Sequence, residues 1–184
     1  MQSPAKSIFT YAAESGVTAG LLLCLMALCL FLSMQAPWLS TVMLLLGAGL
    51  LAFVARGMRR IYVREESYRK VAALWLYGIY TIIFGTLIAA LFSTVWLMFV
   101  NPGFIPDYIR WAAEHLPSSS LDPGQRDLIS KAVDANIYPS SGTFVSTMMW
   151  FMASSGSILS FPFAFITMKY YTNRQKKLGD SINN

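Results

Sequence analysis

The longest uncharged stretch of this chain runs from Ser15 to Ala55, forty-one residues without one charged side chain. A hydrocarbon core about 30 Å thick is crossed by roughly 20 apolar helical residues, so this stretch is long enough for two spans. The segment Gln35-Ala36-Pro37 is the predicted break, because proline at a helix start loses no required N–H bond. Two further uncharged stretches, 71–106 and 135–168, each supply one more span. The chain is therefore predicted to cross a membrane four times.

The predicted fold is an all-α integral membrane protein with a single membrane domain, residues 1–184. The expected spans cover residues 16–35, 37–55, 74–100 and 144–168. Only 12% of the residues are charged, against about 25% in a soluble domain, so most of the surface is not suited to water. The formal charge of +5 does not indicate a nucleic-acid partner, because the basic residues lie beside predicted helix ends. Membrane lipids are the expected partner of these charges.

Lysine and arginine are distributed unevenly over the two sides of the predicted membrane. Eleven of the fourteen basic residues share one side: Lys6, Arg56, Arg59, Arg60, Arg64, Arg69, Lys70, Lys169, Arg174, Lys176 and Lys177. The opposite side holds only Arg110, Arg126 and Lys131. The positive-inside rule then places both termini in the cytoplasm.

Residues 101–143 are predicted to form a periplasmic excursion with two short amphipathic helices between the third and fourth spans. Apolar residues of the first helix follow helical spacing: Ile105, Tyr108, Ile109, Ala112 and Leu116. The second helix has an N-cap, a first-turn proline and a capping-box partner in Asp122, Pro123 and Gln125. Docking on the outer face of the membrane is the plain interpretation. Covering the mouth of the bundle and meeting a partner are the alternatives.

The order of these features resembles that of a known family. The features are the basic loop from Arg56 to Lys70, a helix with Gly78 and Gly85, the exit Phe99-Val100-Asn101-Pro102-Gly103-Phe104-Ile105, the helical excursion, Tyr138-Pro139 and a final span rich in small residues. In this organisation the chain resembles domain of unknown function 4199, a family of four-span inner-membrane proteins mostly of Bacteroidota. The resemblance implies the bacterial inner membrane and, through genes for membrane glycosyltransferases, a link to such an enzyme or to envelope biogenesis. It supplies no catalytic residue.

No catalytic residue, metal site or cofactor is expected from the sequence. The single histidine, His115, lies on a predicted amphipathic helix, where a lone histidine is more often a surface residue than a ligand. Cys24 and Cys29 are five residues apart in one predicted helix, so they point to different faces and lie too far apart for a disulfide. The sequence has no glycine-rich phosphate loop and no pair of intramembrane carboxylates. We therefore predict that the chain is not an enzyme.

Glu14 is the candidate ionisable residue of the membrane region. Ionisable groups inside a membrane often mark proton or cation paths, and small multidrug transporters also combine four spans with an acidic residue in the first helix. Glu14 lies at the predicted cytoplasmic interface, and this chain has a long excursion where those transporters have short loops. An interfacial or helix-dipole role is the favoured interpretation, with transport as the alternative.

Six basic residues are candidate contacts for anionic lipid headgroups or a phosphorylated polyprenyl carrier: Arg56, Arg59, Arg60, Arg64, Arg69 and Lys70. The alternative is that they only set the orientation of the chain.

A second candidate surface lies on the fourth span and consists of small residues: Ser154, Ser155, Gly156, Ser157 and Ser160. Small residues allow helices to approach closely and serine hydroxyls bond across helices, so this face is predicted to contact protein, within the bundle or in an oligomer.

The function predicted from these features is that of a non-enzymatic accessory or assembly subunit of an inner-membrane complex. Its expected partner is another membrane protein or a second copy of the chain. The alternative is a small transporter or a protein that handles a lipid carrier.

Overall fold

The computed structural model describes residues 7–115 and 122–182, and it contains six α-helices and no strand within them. The helices are α1 (Ile8–Leu32), α2 (Leu39–Arg64), α3 (Val71–Val95), α4 (Phe104–His115), α5 (Pro123–Asp134) and α6 (Ser141–Ile182). A 3-10 turn, Glu66–Tyr68, precedes α3, and a π-helical turn, Trp96–Val100, prolongs it. Lys6 and Leu116 lie outside the described residues. The side chains of Ala112, His115, Pro123, Gln125, Arg126, Lys176 and Lys177 are also outside the description.

Four helices are long and apolar enough to cross a membrane, which confirms the all-helical, multi-pass class. They are α1, α2, α3 with its π-helical turn, and α6. The chain turns between α1 and α2 around the predicted break, since α1 ends at Leu32 and α2 begins at Leu39.

Most helices extend beyond the predicted spans at the basic end, where α1 begins at Ile8 and α2 ends at Arg64. At the turn between α1 and α2 the helices are instead shorter than predicted, by three residues in α1 and two in α2. The prediction of a basic loop from Arg56 to Lys70 was wrong in its first part, because α2 continues to Arg64. Hydrocarbon excludes arginine but a helix does not, since arginine is a good helix former. Four of the six candidate headgroup contacts therefore lie on the last turns of α2, where the helix sets the direction of each side chain: Arg56, Arg59, Arg60 and Arg64.

The contact between α1 and α3 forms the centre of the bundle. Gly16, Ala19 and Gly20 of α1 are buried, as are Thr81 and Gly85 of α3. A Cβ atom at Gly85 would lie 3.2 Å from the Cβ of Ala19 and from the backbone N of Gly20. Because lipid tails are as apolar as leucine, close packing of such small residues stabilises helix association in a membrane.

The remaining spans cover this pair unequally. In the most apolar 18-residue segment of each span, 33% of the residues are buried in α1 and in α3, against 17% in α6 and 11% in α2. α3 lies between α1 and α6, while α2 packs mainly on α1. Much of α2 and α6 is therefore available to lipid or to another protein.

The first turn of α4 covers one end of the bundle. Phe104 is 2% exposed and Ile105 is 3% exposed. The Phe104 ring meets Phe31 of α1 edge to face, with centroids 5.0 Å apart. Leu128 of α5, in contrast, is 68% exposed. The beginning of α4 thus packs on the spans, whereas Leu128 of α5 does not.

Candidate functional site

A polar cavity of about 240 Å³ lies at the basic end of the bundle, the end at which α2 finishes and α3 begins. We call it the basic-end cavity. Its lining comes from α1, α2 and α3: Tyr11, Glu14, Ser15, Thr18, Phe53, Gly57, Arg60, Ile61, Arg64 and Tyr77. Three other cavities lined by described residues, one of them larger at about 440 Å³, have mainly apolar linings. The basic-end cavity is therefore the better candidate for polar chemistry.

The cationic wall of the cavity comes from one face of α2. Gly57, Arg60 and Arg64 follow spacings of three and four residues, which bring side chains together on a helix. Both arginine residues are exposed. Within residues 7–115 and 122–182, neither guanidinium donates a hydrogen bond or forms an ion pair. Their donors are thus not consumed by the described part of the chain.

The floor of the cavity contains a hydrogen bond between α3 and α1. Tyr77 is 1% exposed, and its hydroxyl donates to Ser15 Oγ at 2.7 Å. Gly57 makes room for this tyrosine, because a Cβ atom there would overlap the Tyr77 hydroxyl. Ser15 keeps its own hydroxyl hydrogen for a further acceptor.

Glu14 lines the same cavity as Arg60 and Arg64 and is exposed in the second turn of α1. The structure therefore brings the candidate ionisable residue together with two of the candidate headgroup contacts. The described lining thus contains two guanidinium groups and one carboxylate.

The other four candidate headgroup contacts lie outside this lining. The Arg59 guanidinium stacks over the ring of Tyr171, 5.6 Å from its centroid. Arg69 forms an ion pair with Glu66 at 2.9 Å. Arg56 and Lys70 are exposed and line none of the cavities described above. The six predicted contacts therefore do not form a single site.

Three members of the small-residue face of α6 lie toward α3. Ser160 is fully buried, and a Cβ atom at Gly78 would lie 2.8 Å from its Cβ. A Cβ atom at Gly156 would lie 2.8 Å from Ile82 Cδ1. The carbonyl oxygen of Ser157 accepts a hydrogen bond from Trp75 Nε1 at 3.0 Å.

The other two members face differently. Ser154 is exposed. Ser155 lines an apolar cavity of about 180 Å³ to which α1, α2, α3 and α6 all contribute. Its Oγ donates to the Phe151 carbonyl oxygen at 2.7 Å. The helix thus satisfies this hydroxyl within its own backbone, which leaves the cavity apolar.

Sequence reasoning missed the hydroxyl and tyrosine lining of the cavity, namely Tyr11, Ser15, Thr18 and Tyr77. The sequence carries one signal of the cavity, the helical spacing of Gly57, Arg60 and Arg64. This signal is lost when the segment is predicted to be a loop. The α1 and α3 contributions depend on how three helices pack, which no local pattern encodes.

The fold and the cavity define a class: a multi-pass helical membrane protein with a polar cavity at its basic end. Within the described residues, no three or more His, Cys, Asp or Glu side chains are grouped to hold a metal ion. Comparison with protein-family models, with curated proteins and with solved structures gives no match. The resemblance to domain of unknown function 4199 stays a prediction.

Proposed function

We propose that the chain is a non-enzymatic accessory or assembly subunit of a bacterial inner-membrane complex. In this proposal both termini lie in the cytoplasm and residues 101–143 lie in the periplasm, as the lysine and arginine distribution favours. The partner is another membrane protein or a second copy of the chain. A membrane glycosyltransferase or another envelope-biogenesis protein is the candidate that the family resemblance favours.

The observation that carries this proposal is the outward face of α2. Ala48, Gly49 and Ala52 are all exposed, and nothing lies within 4 Å of a Cβ atom built at Gly49. Small residues give little contact to lipid chains, but they let a neighbouring helix approach closely. Leu44 and Leu45 lie one turn away and are 71% and 68% exposed, so large side chains flank the small ones. This combination of small and large side chains can accommodate the side chains of another helix.

Purification in mild detergent tests the proposal. The parent protein is expected to retain a stoichiometric membrane partner or to form a homo-oligomer. Gly49→Leu and Ala52→Leu should abolish that association while leaving the melting temperature of the isolated chain nearly unchanged, because both positions point away from the bundle.

Ala72→Leu is the matched control, since Ala72 is also exposed but lies on α3. It should keep the partner. A parent protein that purifies alone as a monomer would contradict the proposal, and so would full association of the Gly49→Leu and Ala52→Leu variants.

A second candidate function, a small transporter or a lipid-carrier-handling protein, is favoured by Glu14 in the basic-end cavity. In proteoliposomes, Glu14→Gln should then abolish a proton-coupled flux without loss of protein. Normal flux in this variant would remove the argument for transport through Glu14.

A further inference from the structure

The basic-end cavity offers several hydrogen-bond donors that the described chain does not use. Arg60 and Arg64 are two of them, as shown above. Thr18 and Ser15 supply hydroxyl groups whose hydrogens have no acceptor within residues 7–115 and 122–182. A ligand with several acceptor oxygens would satisfy donors from two helices at once.

Phosphate is the group that this donor set fits best. Guanidinium groups present a planar fork that matches phosphate oxygens, and such charge-assisted hydrogen bonds are about twice as strong as neutral ones. Arg60 and Arg64 are four residues apart, so their side chains reach one group from the same face of α2. An engineered cavity of about 150 Å³ holds a benzene molecule. The 240 Å³ here leaves room for a phosphate and several linked atoms.

The charge of the lining selects among phosphates. Glu14 places a carboxylate in the same lining as the two guanidinium groups, and a carboxylate repels a second negative charge on a ligand. A phosphodiester carries one negative charge, whereas a phosphomonoester carries up to two. The lining is therefore matched to a phosphodiester.

The position of the cavity indicates how the ligand arrives. Phe53 lines it on the side of the long apolar segment of α2, and Arg64, the last residue of α2, lines it at the charged end. This change from apolar to charged side chains marks the level of lipid headgroups, whichever side of the membrane it faces. We infer that the basic-end cavity binds the phosphodiester headgroup of an anionic glycerophospholipid.

Native mass spectrometry of the full chain in a non-ionic detergent, titrated with phosphatidylglycerol, tests this inference. A neutral micelle has no anionic surface, so general attraction of the basic residues does not contribute. Arg60→Gln with Arg64→Gln should lower the affinity by at least about tenfold, because each lost hydrogen bond to a charged group is worth at least that factor.

The matched control is Arg56→Gln with Lys70→Gln, which removes the same charge from exposed positions outside the lining. It should leave the affinity within a factor of about two, since these residues do not reach the cavity. Equal weakening by both pairs would overturn the inference, and so would unchanged binding in the cavity pair. Displacement of the lipid by excess inorganic phosphate would assign the site to free phosphate and overturn the lipid assignment.

Two further variants keep the test decisive if the glutamine pair fails to fold. Arg60→Lys with Arg64→Lys retains both charges but loses the planar fork, so binding should weaken while the melting temperature holds. Glu14→Gln removes the carboxylate, so affinity for phosphatidate, a phosphomonoester, should rise relative to phosphatidylglycerol. Unaltered binding in the lysine pair, or an unaltered lipid ratio in Glu14→Gln, would contradict the charge and geometry assigned to the cavity.

Discussion

At the scale of single residues, Gly57 leaves the space that Tyr77 occupies in the floor of the basic-end cavity. The residue lies within α2, where glycine is less favourable than alanine by about 0.5–1 kcal/mol. It nevertheless allows Tyr77 to reach Ser15, because a side chain at this position would occupy the space of the tyrosine hydroxyl. Helix propensity therefore favours alanine at this position, whereas packing against Tyr77 favours glycine. The free-energy cost of overfilling a packed site is usually the larger of the two.

We expect Gly57→Ala to lower the stability of the chain by about 1–3 kcal/mol, the usual range for overfilling a packed site. The control is Gly47→Ala on the same helix, where the added Cβ would lie at an ordinary 3.6 Å from Met26 Cε. That variant should be neutral or slightly stabilising. Thermal unfolding in detergent measures both, and equal melting temperatures would show that Tyr77 does not depend on Gly57.

At the scale of elements, the sequence predicts where the spans lie better than where the helices end. Charge-free stretches locate the four long apolar helices, because burial in hydrocarbon is a requirement that each segment meets by itself. The end of α2 at Arg64 is missed because a charged helical turn outside the hydrocarbon has the composition of a loop. The sequence does not predict that Glu14 lines the same cavity as residues of α2, because this depends on how α1 packs against α2.

The packing of α6 on α3 gives a prediction for an entire helix face. Gly156→Leu should destabilise the bundle by about 1–3 kcal/mol, because even a Cβ atom there would lie 2.8 Å from Ile82 Cδ1. Phe151→Leu on the same helix should be milder, since Phe151 is 73% exposed. Melting temperatures in detergent compare the two variants. A Gly156→Leu protein as stable as the parent would refute close contact between α6 and α3 at this level.

At the scale of the whole molecule, one end of the bundle differs from the other in charge and in covering. The basic end carries the arginine residues of α2 and the polar cavity. The opposite end carries the first turn of α4, packed on α1 through Phe104 and Phe31. The spans between them expose apolar side chains, most of all on α2 and α6. The orientation proposed above, with the basic end toward the cytoplasm, requires an asymmetry of charge of this kind.

The most direct test of that account is thiol labelling of intact cells with a membrane-impermeant reagent. Ser67→Cys lies in the exposed turn between α2 and α3, and Ser130→Cys lies on the exposed surface of α5. Both are introduced after Cys24 and Cys29, the two native thiols of α1, are replaced by alanine. The account predicts that Ser130→Cys reacts in intact cells and that Ser67→Cys reacts only after lysis. Labelling of Ser67→Cys but not Ser130→Cys in intact cells would reverse the orientation, and labelling of both would contradict the proposed four-span crossing.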